Sequence, residues 1–359
     1  MQWKFSEEQE AYREALRGWL GDIAGSEEVR GWLGLDDAQP DSSAFEKRWA
    51  TDGMSGVGLA EDLGGQGGGL VELTITAEEL ARVCAPSAAW LATVLTAPAL
   101  AERPELAAAA IAGAHAALVV SADSLLDAPN RCTVDVSGRI SGSVPRVLGA
   151  DRAATLVVPA TGPDGIHLYV VDSADAGLTV TPRRLLDRTR SVADVLLESV
   201  AADPLEVHAA DVLAHAVDVA GVLIAADALG AMERMLEMAV EYSGQRRQFG
   251  VPIGAFQAVK HAAATILVDV EAGRSGVYYA AASVSACGDE SALHAAAVKA
   301  QVTAAAGRAA DSALTMHGAI GYTWEHDLHL YFKRARLDEQ LFGSSEEWNE
   351  RIAGGLALT

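Results

Sequence analysis

The chain has 359 residues, half of them apolar, and its 49 acidic against 27 basic residues leave a net charge of −22. So many residues exceed what one hydrophobic core usually organises, so two or three packed units are expected. The charge repels nucleic-acid phosphates and anionic lipid heads and argues against both as partners. Cys84, Cys132 and Cys287 are too few and too scattered for a disulfide framework or a metal cluster.

The chain opens acidic and amphipathic, and no uninterrupted apolar run reaches about eighteen residues, so a cytoplasmic protein without a membrane span is expected. Ser6 with Gln9 forms a capping-box pattern, and Tyr12, Ala15, Leu16, Trp19 and Leu20 share one helical face. The glycines from Gly64 to Gly69 break the chain before a helix over residues 71–84. They lack the preceding strand and following lysine of a phosphate loop and read as a turn. Alanine-rich helix continues to about Gly113. Between residues 117 and 202 the pattern shifts to the short β-branched runs ALVV, CTVDV, ATLVV, HLYVV, LTVTP and VADVLL, separated by turn residues. Helical periodicity returns from about Asp211 in four or five segments, with Met232, Met235 and Met238 as core filler. The fold class is therefore α+β, mostly α: an N-terminal helical domain (1–113), a small central β domain (114–205) and a C-terminal helical bundle (206–359).

Within the bundle, YSGQRRQFGVPIGAFQ (242–257) and MHGAIGYTWEHDLHLYFKRA (316–335) resemble two motifs of the acyl-CoA dehydrogenase family, with weaker echoes in GVGLAEDLGGQGG near Gly56 and LLDRTRSVADVLLESV from Leu185. The resemblance spans nearly the whole chain in order. It implies an FAD shared at a subunit interface, with Arg246 on the pyrophosphate of a neighbouring chain's cofactor. Gln248, Phe249, Phe256 and Gln257 would flank that cofactor, Gly318 would let backbone approach it closely, and Thr315 would lie on its adenine side. Thr315 and Ala319 replace the family's usual glutamine and second glycine.

Dehydrogenation of an acyl-CoA needs a carboxylate within reach of the α-proton. Alignment with the family places Phe342 at the usual base position, before Gly343 and Ser344, and Ala220 at the alternative one on an earlier helix. Neither side chain accepts a proton, so no catalytic residue is assigned. The family's flavin-facing loops are also missing: ALVVSADSLLDAPN replaces the first, and Arg146 and Leu148 occupy the second. What is lost would serve the chain's own site, and what is kept would serve a neighbour's. The resemblance narrows to the non-catalytic partner of actinobacterial α2β2 steroid acyl-CoA dehydrogenases. It implies a paralogous partner subunit, an acyl-CoA substrate and electron-transfer flavoprotein as acceptor. A self-sufficient homotetramer with an unrecognised carboxylate and a redox-inactive scaffold are the alternatives. Asp218 is turned about 200 degrees from the Ala220 register. Glu241 is expected to pair with Arg234 or Arg246, and Glu325 and Asp327 to favour a helix N-terminus. His317, His326 and His329 lack a fourth partner for a metal.

Overall fold

The computed structural model describes residues 4–35, 40–123 and 131–356. In chain order the helices α1 (Glu7–Ile23), α2 (Ser26–Trp32), α3 (Ser43–Thr51), α4 (Leu70–Arg82), α5 (Ala88–Thr96) and α6 (Pro104–Ala109) come first. Strands β1 (Ala116–Leu118), β2 (Cys132–Val134), β3 (Arg139–Leu148), β4 (Thr155–Gly162), β5 (Gly165–Asp172), β6 (Leu178–Arg183), β7 (Val192–Ala201) and β8 (Asp203–Pro204) follow. Then come α7 (Ala209–Gln245), the short strands β9 (Arg247–Gln248) and β10 (Val251–Pro252), and α8 (Gln257–Ser285), α9 (Ser291–His317), α10 (Leu328–Gln340) and α11 (Ser345–Gly355). By packing, residues 1–30, 70–85 and 221–359 form one compact unit, and residues 31–69 and 86–220 form another.

The first unit is helical. The Ser6–Gln9 capping box starts α1, which buries Leu16, Leu20 and Ile23. Helix α4 is buried over nearly its whole length, and α7 lies so close to it that a Cβ at Gly230 would sit 2.1 Å from the Glu78 carbonyl oxygen. Only glycine permits that approach. Met232 and Met235 are fully buried there as core filler. Helix α7 contains a window apolar enough to cross a bilayer, but 72% of that window is buried inside the protein, as in a core helix.

The apolar interior also encloses charge. Arg334 on α10 grips Asp227 on α7 through Nε–Oδ1 and Nη2–Oδ2 bonds of 2.7 and 2.6 Å, and its Nη1 donates to the Ala85 carbonyl at 2.8 Å. Both side chains are essentially inaccessible. Glu78 is likewise buried, accepting from Arg274 and from the Tyr278 hydroxyl. Burial is the main influence raising the Glu78 pKa, which the Arg274 charge opposes.

In the second unit the strands order as β6-β7-β3-β2-β4-β5-β8, with β1 beside β4. One face buries Ile140, Val147, Leu156, Val158, Val195 and Val200 around Cys132. The β-branched runs read from the sequence fall on β1, β2 and β4 to β7. The ten-residue β3 lies outside those runs, its sequence interrupted by Gly142 and Pro145. The strand absorbs both through register shifts against β7, between Ile140 and Gly142 and between Val144 and Val147, with Arg146 at φ +50°. Of the stretch ALVVSADSLLDAPN, residues 124–130 lie outside the described residues.

Removing one partner of the buried ion pair strands a charge in the core, so Asp227→Ala should cost about 3–5 kcal/mol in chemical denaturation. The double replacement Asp227→Leu/Arg334→Met should recover most of that loss. Equal destabilisation of the single and double variants would show that the cost is one of packing and not of charge.

Candidate functional site

The first motif is a helix end followed by a tight hairpin. Helix α7 stops at Gln245, and β9 and β10 pair antiparallel, with Phe249 and Gly250 as the two turn residues. Both have positive φ, +52° and +82°, the backbone that a two-residue hairpin requires. Glycine adopts this region freely, whereas phenylalanine pays a penalty on the order of 1 kcal/mol. The Phe249 ring gains little burial in return: it is 93% exposed, touching Phe256 edge-to-face at 6.1 Å. Arg246 is fixed through its backbone, its N–H donating to the Tyr242 carbonyl and its carbonyl accepting from Ile253, both at 2.8 Å. Its side chain is exposed and makes no hydrogen bond or ion pair among the described residues. Gln248 and Gln257 are exposed too, as is Arg247, so the segment presents two cations, two amides and two aromatic rings to solvent.

The second motif meets the first through its rings. Tyr242 stacks on His317 at 4.7 Å, and His317 in turn contacts His326 at 4.8 Å. His317 Nδ1 bonds to the Ala313 carbonyl, and burial holds its pKa below the ordinary histidine value, so the ring is neutral at neutral pH. Thr315 is exposed and its hydroxyl donates back to Asp311 within α9. Gly318 ends that helix at φ +66°, ψ −143° with open space beside its Cα, a conformation essentially reserved for glycine.

One expectation for a neighbouring residue is corrected. Glu241 accepts from Gln245 at 3.2 Å while Arg234 pairs with Glu237, because the helical spacing favours those partners. Asp327 stands at the N-cap position of α10 and takes Arg30 at 2.8 Å and the Ser26 hydroxyl. His326 precedes α10, and its Nδ1 accepts the Leu328 N–H.

At the usual base position the chain is packed and inert. Phe342 is 1% exposed at φ +60°, and its carbonyl accepts from the buried Trp348 indole at 3.1 Å. Lys299 on α9 donates to the carbonyls of Asp338 and Gly343, at 2.8 and 3.1 Å, bracketing Phe342. Ser344 and Glu347 close the loop with a reciprocal capping box that starts α11. Ala220, at the other base register, is fully buried on α7, and Asp218 two residues earlier is half-buried. The lysine that pins the loop was not singled out from the sequence; its signal was a lone cation inside the alanine-rich run AAAVKAQVTAAA.

On the sheet, the positions where the family covers its flavin ring hold other chemistry. Arg146 is ion-paired with Asp123, and its N–H donates to Asp194 at 3.0 Å. Leu148 is buried. A tethered guanidinium and an internal leucine do not fit the flat face or polar edge of a flavin.

The fold and site define an α+β protein with an exposed strip of cations, amides and aromatic rings and no proton acceptor at either expected position. "Acyl-CoA dehydrogenase, N-terminal domain" matches residues 6–103 and "Acyl-CoA dehydrogenase, C-terminal domain" matches residues 210–357. The chain belongs to the acyl-CoA dehydrogenase family, flavoprotein oxidoreductases that act on CH–CH donors and bind FAD. Acyl-CoA dehydrogenase IpdE2 of Mycobacterium tuberculosis is 32% identical over 96% of this chain and 96% of its own length. Acyl-CoA dehydrogenase FadE34 of the same organism is 32% identical over 97% of this chain, which spans about half (48%) of that longer protein. Among solved structures, the Tcur3481-Tcur3483 steroid ACAD G363A variant superposes with TM-score 0.87 at 27% identity, covering 98% of each chain. The ChsE4-ChsE5 complex from Mycobacterium tuberculosis superposes with TM-score 0.89 at 25% identity, covering 100% of each.

Burial lowers the Lys299 pKa from 10.5 to about 8, with the Asp338 charge opposing. The unfolded chain therefore binds this proton more tightly than the folded one between about pH 8 and 10.5. The penalty of burying the ammonium is full below pH 8 and is relieved as pH rises through that window. The stability of the wild type relative to Lys299→Met should rise across this interval by up to about 3 kcal/mol. A pH-independent difference in urea titrations would contradict the assignment.

Proposed function

We propose that this chain is the non-catalytic subunit of a heteromeric FAD-dependent acyl-CoA dehydrogenase, completing the flavin site of a paralogous partner that supplies the base. One contrast carries the reading: Phe342 and Ala220 are buried and proton-inert, whereas Arg246 stands exposed among Gln248, Phe249, Phe256 and Gln257. Burial suits positions that have become packing, and exposure suits positions that wait for another chain.

The bundle-side residues fit a flavin held by a neighbour. Arg246 would hold the pyrophosphate with its planar fork of donors. Phe249 and Phe256 would shield the cofactor, Gln248, Gln257 and Thr315 would offer hydrogen bonds, and Gly318 would admit close backbone approach. Bound FAD supplies the hydride acceptor for α,β-dehydrogenation of an acyl thioester. This chain's part is to bind, orient and exclude water; removing the α-proton falls to the partner.

An α2β2 assembly, steroid side-chain or ring-derived CoA esters as substrates, and electron-transfer flavoprotein as acceptor complete the reading. It is supported by the likeness to a steroid ACAD and to the two-protein ChsE4-ChsE5 complex. A cytoplasmic setting accords with the buried free thiols of Cys84 and Cys132.

The chain purified alone should be colourless and inactive, and co-expression with a neighbouring paralogue should yield a yellow, active complex. Arg246→Glu should lower the FAD occupancy of that complex severalfold without dissociating its subunits. A stable, yellow and active homomer would overturn the proposal in favour of a self-sufficient enzyme. Full FAD occupancy in the Arg246→Glu complex would remove the arginine from its role.

A further inference from the structure

The echo running from Leu185 is not used by the flavin strip, yet it walls a cavity of 540 Å3 inside the second unit. Arg152, Arg183, Arg184, Arg188 and Arg190 line it, against the carboxylates of Glu46 and Asp151. In a chain of net charge −22, five guanidinium groups around one hollow run against the overall balance. Their mutual repulsion falls most when an anion lies among them.

Local partners neutralise only some of this charge. Arg183 pairs with Asp194, and Arg152 lies 3.3 Å from Glu46 and bonds to the Ser42 hydroxyl. Arg188 donates to the carbonyls of Leu33 and Gly34, which orient it while leaving its charge uncompensated. Arg184 is exposed and makes no hydrogen bond or ion pair among the described residues. Arg190 is only 5% exposed and is held by the Ser87 hydroxyl.

Asp151 and Ser191 complete the lining. Trp32, tilted against Phe45 at 4.9 Å, adds a flat apolar surface.

We infer that this cavity binds a small ligand carrying two or more phosphate groups, of the nucleoside diphosphate class. Arginine forks match phosphate oxygens in pairs, the indole offers a face for a base, and the volume suits a nucleotide-sized molecule. Inorganic pyrophosphate shares the anionic chemistry but has nothing for Trp32.

Calorimetric titration of the full chain with ADP, pyrophosphate and adenosine tests the inference. ADP should bind more tightly than pyrophosphate, adenosine should not bind measurably, and added salt should weaken both anions. Arg184→Glu should weaken ADP binding roughly tenfold or more, with the melting temperature of the unliganded protein unchanged. Arg246→Glu should leave ADP binding intact, so this site and the flavin strip can fail separately. Trp32→Phe should abolish the tryptophan-emission change on adding ADP. Absence of binding by both anions at millimolar concentration, or equal affinity in Arg184→Glu, would overturn the proposal. Pyrophosphate binding without ADP binding would overturn the nucleotide occupant.

Discussion

The buried pair of Arg334 with Asp227 is the constraint on which the bundle's geometry depends. It joins α10 to α7, and those two helices carry part of each motif and hold or lead into the two base registers. Helix α7 holds Ala220 and runs on to Arg246, while α10 follows the Gly318 turn and ends just before Phe342. A carboxylate and a guanidinium removed from water cost several kcal/mol each, a cost that only good geometry and further hydrogen bonds offset. The bidentate fork and the Ala85 carbonyl provide both. A shift in the relative register of α7 and α10 would break these bonds, so the pair selects one register as well as stabilising it.

Other cations in the bundle serve the same purpose. Lys299 spends its donors on two main-chain carbonyls on either side of Phe342, and Arg274 reaches Glu78 inside the core. An ammonium with its pKa pulled down by burial is a costly tether, yet it fixes backbone that no regular ladder reaches. The chain as a whole carries the opposite balance, a net charge of −22.

What could be read from the sequence divides along the same physical lines. Helices with one apolar face, the Ser6 capping box and the β-branched runs announce themselves through periodicity and local chemistry. The family resemblance was legible in this part of the bundle because the residues that carry it lie within one short segment from Arg246 to Gln257. Strand β3 was not, since Gly142 and Pro145 interrupt it and only pairing with β7 shows how the strand absorbs them. The arginine-lined cavity gathers residues from Trp32 to Ser191, and its Arg188 looks like an ordinary surface charge until the Leu33 and Gly34 carbonyls are beside it. Ion pairs such as Arg30–Asp327 and Arg334–Asp227 join distant stretches and leave no local signature.

The loop at Phe342 explains how a family fold can carry an inert residue where a base is expected. Its hold comes from the carbonyls of Asp338, Phe342 and Gly343, the Trp348 indole and the Ser344–Glu347 box. None of these contacts uses the side chain at position 342. A residue there must tolerate a left-handed backbone, at a cost of about 1 kcal/mol for anything but glycine. A buried carboxylate would add desolvation unless it were put to use, whereas a phenylalanine gains apolar burial. With no proton acceptor at this position, packing alone governs it. Arg246 is the opposite case, since its exposed side chain contributes nothing to the chain's own core.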